Sequence, residues 1–215
     1  MSVRPIPTAR LFVIGNAIGW STLALALLNP EARVLAIDAG TDRNAREGIE
    51  FTNAVARDEG LSAEVVFGRS PADVPAILQR QDMAPIDFAF IDGEHSVEQA
   101  ELDFHAIREH AAPGCLYLFH DVVSFGLEPA LTHIAAASGL AWRLFLATPS
   151  GMAAAYDPGL MPAALDDIAA FTASPQALAL VRQNAWNSRH RHLARWRRSL
   201  RKRLARGAGQ VARLP

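Results

Sequence analysis

Short apolar runs alternate along the chain with longer segments of helical period. Seven runs of four or five residues, most of them flanked by turn-forming residues, have the length and composition of β-strands: 10–14, 34–37, 64–67, 87–91, 115–119, 142–146 and 152–156. The first five show little alternation of polar with apolar positions, which is typical of strands buried on both faces of a parallel sheet.

The segments between these runs have a helical period. The clearest covers 96–111, where one apolar stripe recurs at spacings of three and four residues: Val97, Ala100, Phe104, Ile107 and Ala111. Asp103 lies off this stripe, on the predicted polar face. Weaker helical patterns cover four other segments: 21–28, 44–59, 71–80 and 128–137. Strands that alternate with helices predict an α/β fold with a doubly wound, mostly parallel seven-stranded sheet, and the turn at 148–151 predicts an antiparallel terminal hairpin.

The charge of the chain is distributed unevenly. Half of the 215 residues are hydrophobic, enough for the core of one α/β domain, and the formal net charge is -1. However, 11 of the 21 Lys and Arg residues lie between Arg182 and Arg213, a stretch without Asp or Glu, and the preceding 181 residues hold 10 basic and 22 acidic residues. The acidic body argues against a nucleic acid as the main substrate, because phosphate binding needs dense basic surface.

The chain is predicted to consist of three segments: a ligand-binding domain over 1–157, an extension over 158–184 with one short helix at 163–171, and a basic tail over 185–215. Residues 185–206 can form a basic amphipathic helix. Such a helix can lie on an anionic membrane surface, mediate self-association, or pack on its own domain. Nucleic acid is the least favoured partner because of the acidic body.

Two further features bear on location and redox chemistry. No apolar run of about 18 residues and no signal-peptide pattern is found, so we expect a cytoplasmic protein that its tail can bring to the membrane periphery. Cys115 is the only cysteine and lies in an apolar run, which excludes an intrachain disulfide and a cysteine-based metal cage. We expect a packed core thiol.

A glycine-containing loop joins the first strand to the first helix. Gly15 and Gly19 permit a tight turn and close backbone approach, and Ser21 and Thr22 can supply hydroxyl groups near the helix start. A dinucleotide fingerprint would also need glycine at positions 17 and 20, which hold alanine and tryptophan, so NAD binding is disfavoured.

Asp38 ends the second predicted strand, 19 residues after Gly19. A carboxylate at this place can accept hydrogen bonds from both hydroxyls of a ribose. It can equally cap a turn at the strand end. The sequence alone leaves both roles open.

Polar motifs follow the fourth and fifth predicted strands, and with the earlier motifs they form an ordered series: IGNAIGWST (14–22), ID (37–38), GRS (68–70), FIDGEHS (90–96), PG (113–114) and FHDV (119–122). The series resembles a family of small class I O-methyltransferases related to catechol O-methyltransferase, over about residues 10–157. The resemblance implies a Rossmann-like methyltransferase domain, S-adenosylmethionine as cofactor, and a small-molecule acceptor methylated on a hydroxyl of a metabolite, sugar or glycolipid.

The resemblance also implies individual roles. The methionine side of the cofactor would be lined by Gly15, Asn16, Gly19 and Ser21. Asp38 would bind the ribose, and Ser70 would contact the adenine edge. Asp92 would face the methionine end. Val13 stands where the family usually has an acidic residue. This departure favours the alternative function, a noncatalytic methyltransferase-like scaffold protein recruited to membranes by the basic tail.

Two acids and two imidazoles should converge where the fourth and fifth strands end: Asp92, His95, His120 and Asp121. In one interpretation Asp92 and Asp121, with His120 or His95, hold Mg²⁺ or another divalent cation that also binds the acceptor oxygens. In a second, His95 or His120 takes the acceptor proton directly. In a third, these residues only form a turn and pack in the core.

Overall fold

The computed structural model describes residues 9–145 and 150–160, together with the helical residues Gln176, Ala179, Arg182 and Gln183. Contacts divide the chain into two units, Met1–Ala173 and Ser174–Pro215. The expected helices at 163–171 and 185–206, the start of the hairpin turn and the end of the sixth predicted strand lie outside the described residues, and the predicted domain boundaries stay predictions. Within the described part of the chain, no helix is long and apolar enough to span a membrane.

In the part of the chain that the structure describes, seven strands form one sheet: β1 Arg10–Ile14, β2 Arg33–Asp38, β3 Ala63–Phe67, β4 Ile86–Ile91, β5 Ala111–Phe119, β6 Ala141–Phe145 and β7 Met152–Tyr156. Their order across the sheet is β3-β2-β1-β4-β5-β7-β6. The first five strands are parallel, and β7 pairs antiparallel with both β5 and β6. The predicted doubly wound, mostly parallel seven-stranded sheet with an antiparallel end is confirmed.

Among the described residues, six helices lie between the strands: α1 Trp20–Leu28, α2 Arg43–Asp58, α3 Val74–Arg80, α4 Val97–Arg108, α5 Val122–Phe125 and α6 Glu128–Ser138. The short α5 was not predicted, because four residues are too few to show a helical period. The other five fall on predicted helical segments, and α2 and α4 begin at side-chain caps, Asp42 and Ser96, that accept a backbone N–H three residues on.

The start of β5 differs from the prediction. The strand begins at Ala111, which was placed at the end of α4, and α4 ends at Arg108. Ala111 pairs with Ile86, and the register then shifts, so that the extra residues before Leu116 form an irregularity in the strand. This segment contains proline and glycine, which a regular inner strand tolerates poorly and a bulge accommodates.

Both faces of the sheet are buried, which explains the absence of polar alternation in the strands. In β1, Phe12 and Ile14 pack on the side of α3, α4 and α6, whereas Leu11 and Val13 pack on the side of α1. The order of the strands reverses at β1, since β2 follows on one side and β4 lies on the other. The helices that follow β1 and β4, α1 and α4, pack on opposite faces of the sheet, and ligands bind at such a point in doubly wound sheets.

Candidate active site

The loop after β1 needs glycine at two positions. Gly15 has φ +89°, and a Cβ atom there would lie 2.1 Å from the carbonyl oxygen of Asp92. Gly19 also has φ +89°, and a Cβ atom there would lie 2.1 Å from the Thr52 hydroxyl oxygen. Both the conformation and the close contacts exclude a side chain, so the glycines allow the loop to lie against β4 and α2.

The side chain of Asn16 anchors this loop to α1 and α2. Its buried side-chain amide donates to the Thr52 hydroxyl at 3.1 Å and accepts from the Thr22 hydroxyl at 2.8 Å. The N-cap residue of α1 is Gly19, which makes no side-chain capping hydrogen bond. Thr22, whose hydroxyl we expected near the helix start, is buried and donates that hydroxyl to Asn16.

Asp38 holds the loop from the end of β2. Its Oδ2 accepts the backbone N–H groups of Asn16 and Ala17, both at 2.9 Å, and its Oδ1 accepts the N–H of Gly40 at 2.8 Å. Of the roughly four acceptor positions of a carboxylate, these bonds leave one on Oδ1. The turn-stabilising role is present in the structure, and the ribose-binding role stays a prediction.

A cavity of about 670 Å³ opens at the carboxyl ends of the strands. Four of the predicted cofactor residues line it: Gly15, Asp38, Ser70 and Asp92. Asn16, Gly19 and Ser21 do not belong to its lining, because Asn16 is buried below the loop and the other two lie at the start of α1. The roles predicted for these three residues as direct cofactor contacts find no support in the lining.

The cavity lining includes two residues of α4, Gln99 and Asp103, that the sequence did not assign to the site. Asp103 was placed on the polar face of the helix, but only 1% of it is exposed to solvent. Its Oδ1 accepts the Ser70 hydroxyl at 2.5 Å and the Gln99 side-chain N–H at 2.7 Å. Burial raises the pKa of the Asp103 carboxyl above its ordinary value, while these two hydrogen bonds oppose the shift.

The four predicted catalytic residues do come together. His95 Nε2 lies 3.2 Å from Asp92 Oδ1 and 3.4 Å from Asp121 Oδ2. His120 Nδ1 lies 3.2 Å from Asp92 Oδ1 and 3.2 Å from Asp121 Oδ1. Each imidazole therefore faces both carboxylates, and we call these four residues the acid–imidazole cluster.

The backbone and an aromatic ring position this cluster. Asp121 has φ +57°, a left-handed conformation that is uncommon outside glycine, and non-glycine residues held in it occur often at functional sites. The ring of Phe125, on α5, stacks on His95 with 4.3 Å between centroids. Thus α5, which the sequence did not reveal, contributes a wall of the cluster.

The electrostatics of the cluster favour a protonated imidazole. The hydrogen bond with Asp92 raises the pKa of His95 above its ordinary value of 6.5, burial acts in the opposite direction, and the negative charges of Asp121 and Asp92 add to the increase. His95 can therefore accept a proton and keep it next to two carboxylates.

A divalent cation also fits the donor set. Asp92, His95 and Asp121 can each offer one ligand atom, and these atoms lie within 4.8 Å of one another. The prediction left the imidazole ligand open between His120 and His95, and this group contains His95. Two carboxylate oxygens and one imidazole nitrogen are donors that suit magnesium, manganese or a harder transition ion.

Comparison with known proteins relates this fold and site to a family. A family model described as a methyltransferase domain matches residues 12–122, more than half of the chain. No curated protein sequence matches. Solved structures with a similar fold include an O-methyltransferase from Bacillus cereus in complex with SAH, with 19% identity over 69% of this chain and 74% of that chain and a TM-score of 0.57.

Two other solved structures give similar values. The O-methyltransferase TomG from Streptomyces achromogenes, in complex with SAM, is 21% identical over 69% of this chain and 73% of its own, with a TM-score of 0.53. The SAH-bound Podospora anserina methyltransferase PaMTH1 is 14% identical over 68% and 70%, with a TM-score of 0.51. At these identities the likenesses show the fold, and the family match contains the glycine loop and the whole acid–imidazole cluster. The chain therefore belongs to the methyltransferase-domain family.

Proposed function

We propose that the chain uses S-adenosylmethionine to methylate a hydroxyl group of a small-molecule acceptor. The observation that carries this proposal is the position of Asp92. Asp92 lines the cavity at the carboxyl ends of the strands, and its side chain contacts both imidazoles of the acid–imidazole cluster. A ligand in the cavity would therefore end beside a group of proton acceptors.

The cavity suits S-adenosylmethionine in size and charge. Its volume of about 670 Å³ is in the usual range of small-molecule sites. The charged side chains in the described lining are mainly acidic: there is a single basic residue, Arg69, against five acidic ones, Asp38, Asp42, Asp92, Glu94 and Asp103. This balance favours a ligand that carries a positively charged sulfonium and ammonium group. The SAH and SAM in two of the similar structures are consistent with this ligand.

The loop after β1 would hold the methionine side through Gly15, where the missing side chain leaves room for close backbone approach. Asp38 would use its remaining acceptor position for the ribose, and Ser70 would contact the adenine edge. When bound, S-adenosylmethionine supplies a methyl group that is open to attack by an acceptor oxygen. The task of the protein is then to hold the acceptor in line and to accept its proton.

Because Nε2 faces the two carboxylates and donates its hydrogen to them, His95 can take that proton at its other ring nitrogen, Nδ1. The imidazolium so formed lies within 3.4 Å of an oxygen of Asp92 and of Asp121, and both charges stabilise it. Phe125 restricts the orientation of the ring by stacking on it. His120 has equivalent distances to the two aspartates and is the second candidate for the base.

A divalent cation held by Asp92, His95 and Asp121 is the second way to activate the acceptor. The chemistry that it would supply is a lower pKa of the acceptor hydroxyl. The two carboxylates support this variant because, when both are ionised, they repel each other unless a cation or a proton lies between them.

The noncatalytic alternative rested on Val13. This side chain is fully buried in a cluster with Ala26 and Val34, and it does not line the cavity. A valine at this position therefore serves the packing of β1 on the α1 side of the sheet. A valine in place of an acidic residue at this position therefore removes no charged side chain from the described cavity lining.

Incubation of the full chain with S-adenosylmethionine and a panel of hydroxylated metabolites, with S-adenosylhomocysteine formation as the readout, tests the proposal. We expect turnover on at least one acceptor and its loss in Asp92→Asn. Asp58→Asn, which changes an exposed carboxylate at the end of α2, serves as the matched control and should retain turnover. If calorimetry detects binding of neither S-adenosylmethionine nor S-adenosylhomocysteine, the proposed function is wrong.

A further inference from the structure

Five large hydrophobic side chains are exposed on α1, on the loop before it and on α2. Trp20 is 81% exposed, and the other four are between 57% and 65% exposed: Ile18, Leu27, Leu28 and Phe51. We call these five residues the α1 patch. Single exposed apolar residues are common, but apolar side chains that are exposed together mark surfaces that bind a partner.

Helix geometry brings three of these residues to one face of α1. Trp20 and Leu27 are two turns apart and point the same way, and Leu28 lies beside Leu27 on this face. The buried residues of the same helix, Thr22 and Ala26, point to the opposite side. The face that α1 turns away from the sheet is therefore apolar from its first residue to its last.

The other two residues continue this face onto α2. A Cβ atom at Gly48 would lie 3.2 Å from the Cα atom of Ile18, and a Cβ atom at Gly19 would collide with Thr52. The turn of α2 that contains Phe51 therefore lies against the loop before α1. Because Phe51 is exposed at this contact, it extends the apolar surface beside Ile18.

The area of the α1 patch matches what a stable dimer needs. With these exposed fractions, the patch presents roughly 450 Å² of apolar surface. Two copies that pair through it would bury about 900 Å² of apolar surface, and apolar atoms form about 65% of a homodimer interface. The whole interface would then bury about 1,400 Å², within the range of about 1,200–2,000 Å² for specific interfaces.

The charges on and around the patch favour a second copy of the chain over a lipid surface. Helix α1 contains no charged residue, so two α1 helices can pair without burying a charge. Helices that lie on a membrane carry Lys or Arg on their polar face, which α1 lacks. The exposed carboxylates of Glu47 and Glu50 precede Phe51 on α2, and anionic lipid would repel them.

We propose that the α1 patch is the interface of a homodimer in which two α1 helices pack antiparallel about a twofold axis at Ala24. Ala24 lies midway between Trp20 and Leu28 on the same face of the helix. Antiparallel packing about this point places Trp20 of one copy against the partner's Leu28, and each contact occurs twice. The small side chain of Ala24 lets the two helices approach closely. This inference concerns a different surface from the cavity and does not depend on the proposed function.

Sedimentation velocity on the full chain tests the oligomeric state. At about 100 µM, where a dimer with a micromolar dissociation constant is fully formed, we expect twice the 23.2 kDa mass of one chain. Trp20→Glu and Leu27→Glu each place a carboxylate in the interface and should reduce the mass to that of one chain. A negative charge in the first turn of α1 is favourable, so Trp20→Glu should fold. Leu102→Glu is the matched control on α4, where Leu102 is 48% exposed on the other face of the sheet, and should leave the dimer intact.

A disulfide across the twofold axis tests the antiparallel arrangement. Cys115, the single cysteine of the chain, is buried, so the thiol of Ala24→Cys is the one that oxidation reaches. Copper phenanthroline should oxidise the two thiols at position 24 to a disulfide that links the copies, because the axis brings their Cα atoms within about 7 Å. Ala136→Cys, at an exposed position of α6, is the control and should stay unlinked.

The outcomes separate this interface from other occupants of the patch. A wild-type protein that stays monomeric at this concentration would overturn the proposal. A dimer that persists in both Trp20→Glu and Leu27→Glu would show an interface elsewhere and would overturn it as well, and failure of Ala24→Cys to link two copies would refute the antiparallel arrangement. A monomer that binds phosphatidylcholine vesicles, and loses this binding in Trp20→Glu, would replace the second copy with a lipid surface.

Discussion

Replacement of Gly15 by alanine tests how the end of β1 meets the end of β4. The backbone of Gly15 has φ +89°, and the added Cβ atom would lie 2.1 Å from the carbonyl oxygen of Asp92. The left-handed conformation costs a residue with a Cβ atom about 1–2 kcal/mol. Relief of the contact requires movement of the backbone directly after β4, and overpacking of this kind costs about 1–3 kcal/mol. We expect Gly15→Ala to lower the free energy of unfolding by about 2–5 kcal/mol.

Gly60→Ala separates the two contributions. Gly60 has φ +64°, but a Cβ atom there would meet nothing within 4 Å. This control carries only the conformational cost, about 1–2 kcal/mol, which the lower entropy of the unfolded chain partly offsets. Urea unfolding of both variants and the wild-type protein gives the difference, which belongs to the contact with Asp92.

Binding of S-adenosylhomocysteine provides a second readout for the same pair. Gly15→Ala displaces the backbone of Asp92 and should weaken binding by about 10-fold or more, since a shift of about 1 Å in a site has effects of this size or larger. Gly60, which follows α2 and lies outside the cavity lining, should leave binding unchanged. If Gly15→Ala is no less stable than Gly60→Ala, the proposed close approach of β1 and β4 is refuted.

Four further experiments test the site and the tail. The pKa of His95 is raised, so its contribution to stability is fully present below pH 6.5 and is lost as the pH rises through the folded-state pKa. In urea unfolding, the difference in stability between the wild-type protein and His95→Gln should therefore shrink at alkaline pH. A difference that stays constant with pH would contradict this. If a cation activates the acceptor, chelation and Asp121→Asn should both abolish turnover while the affinity for S-adenosylhomocysteine persists in each case. Calorimetry should then also detect Mn²⁺ binding to the wild-type protein. Turnover that survives chelation would favour the histidine base. Burial raises the pKa of Cys115 to about 12, so iodoacetamide should label it only after unfolding, and rapid labelling of the native protein would refute its burial. Removal of residues from Ala185 onward should leave a folded domain that binds S-adenosylhomocysteine and should abolish association with anionic vesicles; a full chain that ignores such vesicles at low salt would rule out the membrane role of the tail.

Local patterns were sufficient to predict most of the fold. Strands β1 and β7 have the predicted bounds, and β2, β3 and β4 differ from them by one or two residues, because an apolar run flanked by turn residues is a property of the local sequence. The positions of Gly15 and Gly19 indicated a tight turn for the same reason. The motifs after β4 and β5 placed two acids and two imidazoles at neighbouring strand ends, since parallel strands bring their carboxyl ends to one edge.

The sequence by itself thus determined the order of elements, the α/β class and the edge of the sheet at which the chemistry lies. Only the tertiary structure decided that the Asp38 carboxylate holds the glycine loop, that Thr22 bonds to Asn16, and that Asp103 is buried against Ser70, 33 residues away. The physical reason is that helical and strand periods report which face of an element is apolar. They do not report which polar side chain finds a partner on another element, and that partner is set by how the helices pack on the sheet.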